Sequence, residues 1–92
     1  MTPSRAEKLG LLEMNKQAAI ALSVEIHGLR EQINRATDAH QAISDLPLDE
    51  LTIQMQAWQR KVAEHRQLCD DLRDLAEDLN VPMPATDMRR KR

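Results

Sequence analysis

His65 and Cys69 are the pair in this chain whose types and spacing come closest to chemistry. Four residues apart on a helix, an imidazole and a thiol sit side by side, a spacing that suits two metal ligands, and a second copy of the chain would complete a set of four. Both residues also fall on an apolar stripe of the same helix. There a cysteine serves as a small hydrophobe and a histidine as a polar interruption, so packing is the weightier reading and no metal or cofactor is expected. His40 lies near a helix break and His27 on an outer helix face. Three dispersed histidines without a neighbouring nucleophile give no triad, which points to a non-enzymatic protein without a small-molecule substrate.

Charge offers two further candidates. Asp70, Asp71, Asp74, Glu77 and Asp78 crowd one short stretch. Carboxylates at the end of a helix oppose its dipole, and relief is expected from Arg5, Lys8 and Lys16 brought alongside by an antiparallel partner helix. Lys16, Arg30, Arg66 and Arg73 share a polar edge that could follow a phosphate backbone, aided by the terminal Arg89, Arg90, Lys91 and Arg92. Arg66 and Arg73 each have a carboxylate four residues on, Asp70 and Glu77, and no aromatic interleaves the edge to stack on bases. A regulator binding RNA or DNA through this edge and tail is therefore the second reading of function, and a metal-binding dimer the third.

The elements that must carry these residues are legible from periodicity. Leu51, Met55, Trp58, Val62, His65, Cys69, Leu72, Ala76 and Leu79 recur at alternating steps of four and three, as do Leu12, Asn15, Ala19, Leu22, Ile26, Leu29, Ile33, Ala36, His40 and Ile43. These are two heptad seams of almost equal length. A four-residue lead, residues 1–4, offers Thr2 before Pro3 or Ser4 before Glu7 as the helix cap. Helix one is expected over about 5–44, a turn over 44–47 around Pro47, and helix two over about 47–80, ended by Asn80, Pro82 and Pro84. Residues 81–92 have no period and are expected to form a flexible, basic C-terminal tail, extended or disordered. The fold class is all-α: two long antiparallel helices in a coiled-coil-like hairpin, residues 5–80. Folding about Leu46 sets Trp58 against Ala36 and Ile33, and Leu29 against Val62, with Trp58 and Leu29 anchoring the core.

Composition then implies a partner. The 92 residues are 41% apolar but contain one aromatic, Trp58, so the core must be aliphatic. Two helices form a single layer of contact that leaves much of each stripe wet. One flank of the seam carries Leu11, Ala18, Ala39, Leu68 and Leu75, and of these Leu11, Ala18, Leu68 and Leu75 are the expected interface. A second hairpin packed there gives a four-helix bundle as a homodimer, or a different protein fills the place. The favoured function is thus a protein-protein interaction module: an adaptor, chaperone-like subunit or inhibitor. The formal charge of -2 hides an acidic body, since removing residues 89–92 leaves 9 basic against 15 acidic residues. One cysteine excludes an internal disulfide, and no apolar run reaches the ~20 residues of a membrane span, so a cytoplasmic protein is expected.

Overall fold

In a computed structural model of the chain, residues 4–37 and 46–87 are described. They form two helices, α1 (Arg5–Ala36) and α2 (Leu48–Leu79), packed against each other, and the described residues contain no strand. Lys8 pairs with Asp78 and Glu25 with Lys61, so the start of α1 lies beside the end of α2 and the hairpin is antiparallel. The all-helical hairpin expected from the two seams is what the chain forms.

The caps follow from local chemistry. Ser4 is extended at φ -68° and ψ 164°, and its hydroxyl accepts the Glu7 amide at 3.2 Å, satisfying one orphan donor of the first turn. Thr2, the competing candidate, lies outside the described residues. At the other end of α1 the Thr37 amide and hydroxyl both donate to the Ile33 carbonyl, at 3.0 and 2.8 Å. The expected continuation of this helix to about residue 44, and the turn at 44–45, fall outside the described residues. Pro47 occupies the cap position of α2 rather than its first turn, and its carbonyl accepts the Leu51 amide at 2.9 Å. Asp49 and Glu50 follow in the first turn, where the helix dipole favours carboxylates.

Asn80 ends α2 in the left-handed conformation, φ 56° and ψ 46°. The Val81 amide reaches back to the Ala76 carbonyl at 2.9 Å and the Asn80 amide to Glu77 at 3.1 Å, the paired bonds of a Schellman ending. This reverses the chain direction, and residues 81–87 then run without regular secondary structure back along the hairpin.

The core sits at that end. Ala19, Leu22 and Ser23 of α1 and Leu72, Ala76 and Leu79 of α2 are the buried side chains of the helices. Trp58 and Leu29, expected to anchor the core, are only half-buried. The indole Nε1 of Trp58 and the Oε1 of Gln54, one turn earlier, are covered without a hydrogen-bond partner. Leu48 and Ile53 nearby are 64% and 65% exposed. Two helices bury a thorough core only where a third segment adds a covering layer, and residues 81–87 reach only the half nearer Asn80. No helix among the described residues is long and apolar enough to cross a membrane.

Candidate functional site

The hairpin has two unlike sides. On the first lie the polar edge of the seam and the returning segment 81–87. Its anchor is His65, whose Nε2 is 2.7 Å from the Thr86 carbonyl oxygen. A carbonyl can only accept, so Nε2 carries the proton. In the neutral ring Nδ1 is then an acceptor, and the Cys69 thiol, 3.6 Å away, donates to it. The spacing that suggested two metal ligands instead serves a relay in which one imidazole joins α2 to the C-terminal segment. From α1, His27 donates through Nε2 to Asp87 Oδ1 at 2.9 Å. Each helix thus contributes one histidine to a clasp on the same two residues, Thr86 and Asp87. Between them a cavity of about 170 Å³ is lined by Ser23, Ile26, His27, Val62, His65, Arg66 and Asp87.

This clasp was not legible in the sequence. Periodicity alone puts His27 on an outer face, His65 on the apolar stripe and residues 81–92 in a tail. Residues 81–87 have no regular secondary structure, and Val81, Pro84 and Thr86 are half-buried. The available signal is Asn80 followed by two alternating prolines, which favours a reversal into an extended strand but does not name a landing place.

The cations of the polar edge are engaged locally. Lys16 lies 3.9 Å from Glu13, and Arg73 lies 3.3 Å from Asp70, three residues back rather than the expected Glu77. Arg66, expected to pair with Asp70, lines the cavity with Asp87. Arg30 is exposed. Arg89, Arg90, Lys91 and Arg92 lie outside the described residues, so the edge and the tail are not brought together as one surface. Lys8 does relieve the acidic end of α2 through Asp78, as expected for one of three basic residues; Lys16 turns to its own helix. Among the described residues no three His, Cys, Asp or Glu side chains form a group that could hold a metal ion.

No third segment among the described residues covers the second side. Glu25 and Lys61 meet across it at 2.9 Å, and heptad spacing sets Leu11 and Ala18 in line with Glu25, and Leu68 and Leu75 in line with Lys61. Leu68 and Leu75 are half-buried; Leu11 is 42% exposed and Ala18 is exposed. Beyond them on α1 lie Met14 and Val24, 62% and 50% exposed, and exposed Ala21. The apolar surface thus extends around α1 further than the four expected residues indicate, whereas the outer face of α2 carries Gln56, Gln59, Arg60, Glu64 and Gln67. Ala39 lies outside the described residues.

Comparison with family models, curated proteins and solved structures returns no match to this chain.

Proposed function

We propose that this chain is a non-enzymatic protein-protein interaction module that acts by packing the second side of its hairpin onto another helical surface, most simply a second copy of itself. One observation carries the reading: segment 81–87 closes one side of a two-helix layer, while on the other side Leu11, Met14 and Ala18 are exposed, Leu68 and Leu75 are half-buried, and no third segment among the described residues covers them. The principal-axis extents of 59 × 32 × 15 Å fit this, because 15 Å is about one helix thick. A domain normally buries its apolar stripes between two layers. Docking supplies the missing one, and the chain would serve as an adaptor, a chaperone-like subunit or an inhibitor.

Binding of RNA or DNA through Lys16, Arg30, Arg66 and Arg73 is the less favoured reading, because Glu13 and Asp70 stand beside Lys16 and Arg73, and Arg66 lines a cavity with the docked Asp87. Mass by light scattering tests the main proposal. A dimer that Leu68→Lys with Leu75→Lys dissociates is the expected result. A monomer at all concentrations, with RNA affinity that falls steeply with salt and vanishes when residues 89–92 are deleted, would favour the alternative.

A further inference from the structure

We infer that segment 81–87 is a strap that releases from the hairpin as a unit, hinged just beyond Asn80, while the two helices stay paired. Release uncovers Ser23 and frees the Nε2 donors of His27 and His65. The inference is independent of what covers the second side of the hairpin.

The hold on the segment is concentrated at its tip. The Thr86 carbonyl accepts from His65 at 2.7 Å, and the Asp87 carboxylate accepts from His27 at 2.9 Å. At the base, the Asn80 and Val81 amides donate to the Glu77 and Ala76 carbonyls, so those bonds belong to the ending of α2 and survive release. No residue of the segment is fully buried: Val81, Pro84 and Thr86 are half-buried, and Pro82, Met83, Ala85 and Asp87 are exposed. Nor does the tip pack flush, because a cavity of about 170 Å³ remains where Asp87 meets Ser23, Ile26 and Val62. Apolar burial by the strap is thus partial, and ordering its backbone opposes docking. The helix pair is held differently. Ala19, Leu72, Ala76 and Leu79 are at most 3% exposed, and separating the helices wets them all. Opening the strap is therefore the smaller event, a local opening distinct from global unfolding.

Proline lets the strap close again. The rings of Pro82 and Pro84 fix φ near about -65° whether the segment is docked or free, and each also restricts the residue before it, Val81 and Met83. The released segment therefore keeps fewer conformations, which lowers the entropy lost on docking. Ser23 shows what the strap covers. It lies on the polar edge beside the seam residue Leu22, where two paired helices alone leave a side chain wet, and its edge neighbours Arg30 and Arg66 are exposed. Ser23 is nevertheless 2% exposed and lines the cavity with Asp87, so its burial reports a closed strap.

The test is thiol labelling in the full chain. A Cys69→Ser background removes the native thiol and keeps a hydroxyl able to donate to His65 Nδ1. In it, Ser23→Cys places a probe under the strap, and Ala19→Cys, at 0% exposure, places one between the helices. Reaction with dithiobis(nitrobenzoate) is followed in urea well below the unfolding midpoint, with far-ultraviolet circular dichroism confirming that the helices persist. Ser23→Cys should react at least about tenfold faster than Ala19→Cys. Its rate should be nearly flat in urea, while that of Ala19→Cys rises steeply, because the slope scales with the surface exposed on opening. Adding His65→Ala or His27→Ala should accelerate Ser23→Cys labelling about 2- to 12-fold for the one bond lost and leave its slope flat. Equal urea dependence at the two positions overturns the inference, because the strap then opens only with the hairpin. A flat Ser23→Cys rate that neither histidine substitution changes overturns it as well, as does labelling at the rate of a free thiol with both histidines present, since the strap is then not closed.

Discussion

The clasp can be tested by asking whether His65 stabilises the hairpin through the C-terminal segment or only through its own helix. The perturbation is His65→Ala, made in the full chain and in a chain ending at Val81. That truncation keeps the Val81 amide on the Ala76 carbonyl, so the α2 cap survives while Thr86 and Asp87 are lost. The bond from Nε2 to the Thr86 carbonyl is 2.7 Å long and part-buried. A neutral hydrogen bond of this kind contributes about 0.5 to 1.5 kcal/mol net, whereas lost packing of the imidazole is common to both backgrounds and cancels. The coupling energy should therefore be near 1 kcal/mol, or ~4–8 °C in melting temperature for a domain of this size. Urea unfolding of the four chains, followed by circular dichroism at one fixed protein concentration, measures it. A chain ending at Met88 controls for loss of the four terminal cations. If His65→Ala costs the same in both backgrounds within about 0.3 kcal/mol, the clasp reading is refuted.

Other consequences follow from the same packing. Leu72 is fully buried, and Leu72→Ala should cost about 2 to 5 kcal/mol by removing a side chain at the centre of the core, whereas Leu48→Ala, at 64% exposure, should change the urea midpoint little. Asn80 holds a left-handed backbone, so Asn80→Gly should preserve or raise the melting temperature and Asn80→Ala should lower stability by about 1 kcal/mol; equal effects would sink the capping argument. Zinc should leave the thermal midpoint unchanged in the parent and in Cys69→Ser. A zinc-dependent rise lost in Cys69→Ser would restore a metal role for the His65 and Cys69 pair.

The helices were legible because heptad spacing is a local property: Leu51 to Leu79 repeats at three and four whatever surrounds it, and Pro47 and Asn80 mark the α2 limits by their own backbone preferences. Burial was less legible. Seam position alone made Trp58 and Leu29 core residues, but how deeply a seam residue is buried depends on what covers the helix pair, and that cover comes from residues 81–87. Their docking rests on one carbonyl and one carboxylate meeting two histidines from different helices. No periodicity encodes such a meeting, because His27, His65 and Thr86 are brought together only after both helices have paired.

The placement of the clasp also changes what the polar edge means. Read from sequence, Ser23, Arg66 and their neighbours form a solvated or phosphate-binding flank. With segment 81–87 in place, Ser23 is buried and Arg66 shares a cavity with Asp87, so the middle of that edge belongs to an intramolecular contact. A backbone-tracking nucleic acid would have to displace the segment before reaching it, giving up the His65 bond to Thr86. The opposite side requires no such exchange. Its cross-helix ion pair, Glu25 with Lys61, is exposed and worth at most about 1 kcal/mol, and the residues in line with it are aliphatic. Under the proposed interaction reading, a partner that covers Leu11, Met14 and Leu68 gains apolar burial without displacing segment 81–87.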